Sequence, residues 1–114
     1  MSRRRYIPLR RARLSWGLTQ AQLGAFLGVS ENVISNCERG VSEPSLAMGL
    51  ACLLVFGQSA AELFPACYES VQDTVGRAAA KLDEELRGRS DPASLKKRRL
   101  LDGIRERSVP LAKP

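Results

Sequence analysis

Between Thr19 and Arg39 the chain has room for two short helices, a tight turn and little else. Thr19 is a good helix N-cap, and Gln22 three residues later completes a capping box. Leu23, Phe26 and Leu27 follow at helical spacing. Gly28 ends this helix, because a left-handed backbone is cheap only for glycine, and Val29 plugs the turn. Ser30 caps the next helix, and Glu31 in its first turn suits the positive end of the helix dipole. Val33, Ile34 and Cys37 form an inner face, and Gly40 stops the helix. The outer face carries small hydrogen-bonding side chains: Asn32, Ser35 and Asn36, next to Glu31. Such a helix is anchored to a core on one side and offers polar groups on the other.

The same punctuation organises the rest of the chain. A first helix is predicted from about Pro8 to Trp16, with Leu9, Arg13, Leu14 and Trp16 on a mixed apolar face and Gly17 as its C-cap. Val41 to Pro44 is a loop. Pro44 or Ser45 opens a fourth helix that lasts to about Phe56 and ends at Gly57. Ser59 and Glu62 form a second capping box, which starts a short fifth helix reaching Leu63 or Phe64 and terminated by Pro65. Five helices in so short a stretch make a compact all-α unit, residues 1–66 with the basic N-terminus included. Residues 67–114 are a helical extension. Within it, residues 69–87 read as an amphipathic helix with Val71, Val75, Ala78, Leu82 and Leu86 on one side. Gly88 breaks it, and Ser90-Asp-Pro92 starts a final short helix bearing Lys96-Lys-Arg-Arg99 and the apolar Leu95, Leu100, Leu101 and Ile104.

Charge and composition narrow the chemistry. The chain has 114 residues and a net charge of +6, unevenly spread. Residues 1–13 hold six arginines and no acid. Residues 14–75 hold Arg39 against six acids, a net −5, and residues 76–114 return to +5. There is no histidine, hence neither the commonest catalytic base nor the commonest zinc ligand. Without a carboxylate pair, a metal cluster or a phosphate loop in context, no catalytic constellation is visible, so an enzyme is not expected and no cofactor or metal is implied. Gly24 and Gly28 fall in a helical pattern, not in a phosphate-binding loop. Cys37, Cys52 and Cys67 lie in apolar surroundings without metal-like spacing, and they read as buried free thiols suited to a reducing cytoplasm. No long apolar stretch follows the basic N-terminus, which argues against a secretory signal. Leu46 to Phe56 is too short to span a bilayer.

The ordered series Leu9-Arg10, Arg13, Gly17-Leu-Thr-Gln20, Leu23, Leu27-Gly-Val-Ser30, Ile34-Ser35, Glu38-Arg-Gly40 and Pro44-Ser-Leu46 resembles the lambda-repressor-like helix-turn-helix family, also called the Xre family. The resemblance covers roughly residues 5 to 66 and extends to Glu62-Leu-Phe64, which is similar to the end of that family's fifth helix. It implies a five-helix domain whose third helix enters the DNA major groove, followed here by one or two C-terminal amphipathic helices. It also implies roles for single residues. Gln20, beside Thr19 at a helix N-terminus, falls where the family contacts a phosphate and braces the recognition helix. Glu31, Asn32, Ser35 and Asn36, behind the cap at Ser30, match the outward recognition positions. Asn can pair bidentately with adenine, Ser can bond several base edges, and Glu can accept from cytosine. Arg39 and the loop Val41 to Ser45 match backbone contacts. Arg13 and Glu38 match a partly buried ion pair that sets docking geometry. A solvated polar face is the plain alternative for Asn32, Ser35 and Asn36, and solubilising charge is the alternative for the N-terminal arginines.

Three departures from the family pattern shape the functional expectation. The motif offers one cation, so Arg3, Arg4, Arg5 and Arg10, and the basic tail, are expected to add the electrostatic attraction to DNA. The fourth helix is apolar nearly all round, so either the helix over 69–87 or a second subunit is expected to cover it; Phe26 belongs to that surface or forms a separate one. The extension is long for a minimal domain, which points to a homodimer on two half-sites, against a monomer whose tail caps the fourth helix. The leading expectation is a transcription regulator of the repressor kind, acting on double-stranded DNA in the cytoplasm. The alternative is an antitoxin-like module that binds a protein partner through residues 67–114 and regulates its own synthesis.

Overall fold

The computed structural model describes residues 8–108, and Arg3, Arg4 and Arg5 lie outside them. The described residues form seven helices and no strand: α1 (Pro8–Ser15), α2 (Gln20–Leu27), α3 (Glu31–Glu38), α4 (Leu46–Phe56), α5 (Ala60–Leu63), α6 (Pro65–Glu85) and α7 (Pro92–Arg107). No described helix is long and apolar enough to cross a membrane.

Local chemistry accounts for the ends of these helices. The Thr19 hydroxyl accepts from the Gln22 amide, and the Gln22 side chain accepts in return from the Thr19 amide, at 3.0 Å each. Ser59 and Glu62 do the same for α5. Ser30 and Ser45 cap α3 and α4. Each cap satisfies an amide that the helix leaves without a partner. At the α2–α3 turn Gly28 takes the left-handed backbone, φ 73°. The turn also depends on Gly24, whose role is not visible in the helical pattern around it. A Cβ there would lie 2.6 Å from the Val29 carbonyl oxygen, and the Val29 amide donates to the Gly24 carbonyl at 2.9 Å. Only glycine lets the chain fold back so closely on α2.

The division of the described residues into two compact units falls between Glu69 and Ser70, inside α6. The first unit has the core. Leu9, Ala12, Leu23, Leu27, Ile34, Cys37, Met48, Cys52, Leu63 and Phe64 are buried together, with Val29 and Val33 packed against them. Two residues expected on the inner face of α1, Leu14 and Trp16, are exposed, and so is Phe26 on α2. Ala12 takes the inner place on α1 beside Leu9, and α2 turns Leu23 and Leu27 inward. Pro65 follows the end of α5, as expected, and has a second role. Phe64 leaves helical geometry (φ −131°, ψ 64°), and Pro65 then opens α6 four residues before its predicted start. Proline suits a first helical position, where its missing N–H has no partner to lose.

The second unit contains most of α6 and all of α7. Asp91 caps α7, and α7 runs sixteen residues, longer than the short helix expected there. The Ser94 hydroxyl and amide both donate to the Asp91 carboxylate and hold its pKa below the usual value. Leu86, Ser94 and Leu101 are buried. Arg98 donates to the Leu86 carbonyl, and Arg98 and Arg105 both approach Asp83, at 3.5 and 3.8 Å. Val71 and Val75 on α6 and Leu95 and Leu100 on α7 are exposed.

Candidate nucleic-acid interface

The site grows from the two faces of α3. Ile34, Cys37 and Glu38 are buried, and Val33 is half-buried behind the Ser30 cap. Glu31 and Asn32 are exposed, and Ser35 and Asn36 are half-buried one turn further on. Apart from Glu38, the helix therefore presents its polar side chains on the side away from the core. Its end is tied down as well: the Asn36 carbonyl accepts from the amides of Val41, at 2.8 Å, and Ser42, at 3.3 Å. That fixes where the following loop leaves the helix.

Behind α3 a buried charge cluster fixes its position. The Arg13 guanidinium meets the Glu38 carboxylate bidentately, Nε to Oε2 and Nη2 to Oε1, the latter at 3.0 Å. Its Nη1 donates to the Leu18 carbonyl at 2.8 Å. Gln20 Nε2 donates to the same Glu38 Oε1 at 3.1 Å. The Arg13–Glu38 pair thus joins α1, the α1–α2 loop, the start of α2 and the end of α3. No buried side-chain nitrogen or oxygen among the described residues lacks a partner. A buried charge pair is tolerable when its remaining donors and acceptors are satisfied in this way.

Residues 9–63 match a family model described as helix-turn-helix. They are a helix-turn-helix domain of the Cro/repressor type, Xre-like. No curated protein and no solved structure matches the chain. The family is one of DNA-binding transcription regulators, so the domain is a DNA-binding regulatory one.

Within this helix-turn-helix domain α2 and α3 form the motif, and the structure brings Arg13, Gln20 and Glu38 into one cluster behind it. It also joins Ser35, Asn36 and Arg39. Arg39 Nη2 donates to Asn36 Oδ1 at 2.6 Å, and Arg39 Nε donates to Ser35 Oγ at 3.4 Å. A guanidinium can only donate, so the Asn36 carbonyl is the group engaged. A bidentate adenine contact uses both ends of the Asn36 amide, and the side-chain oxygen, with two lone pairs, has one left for adenine while it accepts from Arg39. Thr19 is exposed at the start of α2 and Gln20 is half-buried. Arg10 and Arg11 are exposed on α1. The Leu18 carbonyl was missed, because a backbone acceptor has no signature in a residue string. The Arg39–Asn36 bond was legible in principle, being an i, i+3 pair on one helix.

The cysteines are not poised for chemistry. Cys37 and Cys52 are buried and Cys67 is half-buried; all three are free thiols. Burial pushes the Cys52 thiol up to about 11. Burial, then the Glu38 charge, raises Cys37, and burial, then Glu43, raises Cys67. Protonated thiols are weak nucleophiles and weak metal ligands. Iodoacetamide at neutral pH is accordingly expected to label Cys67 first and to spare Cys37 and Cys52 until urea opens the core, as read by peptide mass. The raised pKa of Cys52 also has a stability consequence. The unfolded chain ionises this thiol at its lower ordinary pKa while the folded chain keeps it protonated, so stability is full below that pKa and falls as the pH rises toward 11.

Proposed function

We propose that this protein is a sequence-specific transcription repressor that binds an operator as a homodimer and reads the major groove with α3. The observation that carries this is the division of α3. Glu31, Asn32, Ser35 and Asn36 are turned from the core while the Arg13–Glu38–Gln20 cluster fixes the helix from behind. Docking geometry set by a rigid scaffold is what lets a few side chains discriminate bases, each good pair contributing about 1–3 kcal/mol. In this reading Thr19, Gln20, Ser30 and Arg39 contact phosphates. Arg10 and the arm arginines Arg3, Arg4 and Arg5 add charge that α2 and α3 lack. Repression follows from occupancy of a promoter. Selection from a random double-stranded DNA pool tests the proposal: a palindromic consensus supports it, and no enrichment refutes it.

Arg39 tests the division of labour. Arg39→Ala removes one phosphate contact and releases the Asn36 carbonyl. DNA affinity is expected to fall about tenfold for all sequences, with a salt slope shallower by about 1. A loss confined to one base pair of the consensus would instead make Arg39 a base reader.

An antitoxin-like role for residues 67–114 is the second reading. The exposed Val71, Val75, Leu95 and Leu100 favour it, being apolar side chains that a protein partner could bury. Capture of one defined protein by the full chain, lost on replacing Leu95 and Leu100 with Glu, would place this reading first.

A further inference from the structure

We infer that the outward face of α4 is the surface on which a second copy of this chain docks, through a two-fold interface of Leu46, Leu50, Leu53 and Leu54. The inference rests on the dimeric part of the function proposed above and gives it an address.

α4 contains no polar side chain, yet only one side of it reaches the core. Met48, Gly49 and Cys52 are buried. Gly49 lies close against α5, where an added Cβ would stand 3.3 Å from the Ala60 Cβ. On the opposite side Leu46, Leu50, Leu53 and Leu54 are 79, 57, 51 and 88% exposed. Spaced by four, three and one, they make a single stripe along the helix. Scattered exposed leucines need no explanation, but a contiguous apolar stripe does.

Area and charge both favour a second copy. The four leucines leave on the order of 500 Å² of apolar surface, near the upper end for the largest patch on a monomer. That is over half of the roughly 800 Å² that each partner contributes to a standard interface. Close to the axis of a two-fold interface a residue faces its own copy, so a charge there meets a like charge. α4 has none. Both helix ends are closed by Ser45 and Gly57, which leaves no cap for a partner to complete. α4 packs chiefly on α2 and α5, so a partner on its outer side leaves the polar face of α3 open.

The test is the mass of the full-length protein in solution. Wild type is expected at about twice the 12.5 kDa of one chain. Leu50→Glu with Leu54→Glu is expected at the monomer mass, with unchanged helical circular dichroism and a dimer Kd raised at least about 100-fold, because paired carboxylates would be desolvated at the two-fold. Leu50→Ser with Leu54→Ser, which adds no charge, is expected to raise it at least about tenfold. Leu95→Glu with Leu100→Glu, on α7, is expected to stay dimeric. A monomeric wild type overturns the proposal, whether residues 70–108 or solvent then meet the leucines. A dimer that survives the α4 substitutions, or a mass that includes a different protein, also overturns it. The repressor reading fails separately: a wild-type dimer that enriches no DNA sequence refutes that function and leaves this interface standing.

Discussion

Replacing Glu38 with Ala is expected to lower the unfolding free energy by about 3–5 kcal/mol, the usual cost of stranding one member of a buried ion pair. Both partners are almost wholly out of water: the Glu38 side chain is 2% exposed and that of Arg13 is 9%. Without the carboxylate, Arg13 keeps only the Leu18 carbonyl, and Gln20 loses its acceptor. A domain of this size has about 5–15 kcal/mol in all, so the loss takes a large share of its stability. Urea denaturation gives the measurement. The double variant Arg13→Met with Glu38→Leu separates charge from shape. It removes both ions and fills the space with apolar atoms, so it is expected to recover most of the loss. A Glu38→Ala cost below about 1 kcal/mol would mean that the pair is screened like a surface contact, contrary to its burial.

That cluster also shows which parts of the structure were legible beforehand. Caps were, because a cap is decided within four residues: the Thr19–Gln22 and Ser59–Glu62 boxes and the stops at Gly28 and Gly57 follow directly from residue type. Helix faces were less so. An eight-residue helix has barely two turns, and although Leu23, Phe26 and Leu27 share one stripe about 100° wide, not every one of them reaches the core. Neighbours decide which does, and α2 turns Phe26 out while keeping Leu23 and Leu27 in. Arg13 shows what periodicity lacks, since its pairing with Glu38 was implied by the family resemblance alone. Its burial depends on Glu38, twenty-five positions away, and on the Leu18 carbonyl. Pro65 has two local meanings, a stop for one helix and a start for the next, and both hold at the α5–α6 junction. At the candidate interface the polar positions of α3 were visible from periodicity, but the Arg39 bond that occupies the Asn36 carbonyl was not drawn from it.

Deleting residues 1–5 is expected to change DNA binding more than any single substitution on α3. Residues 14–75 carry one basic residue, so the helix-turn-helix has almost no positive charge of its own. Each phosphate neutralised by a cation contributes about −0.9 to the slope of log K against log salt. The deletion removes Arg3, Arg4 and Arg5. If all three pair with phosphates, the slope becomes shallower by about 2.7, and between 50 and 200 mM salt the full chain loses roughly 40-fold more affinity than the truncated one. At low salt, therefore, the full-length protein binds far more tightly, and the two converge as salt rises. Fluorescence anisotropy on one selected operator, repeated across salt concentrations, measures both slopes. Equal slopes would show that the arginines serve solubility alone. The base preference carries the complementary information. Phosphate contacts hold a protein on DNA without reading it, so the truncated chain is expected to prefer the same consensus at lower affinity. A consensus that loses A·T pairs beside each half-site would instead place the arm in the minor groove as a reader of its width.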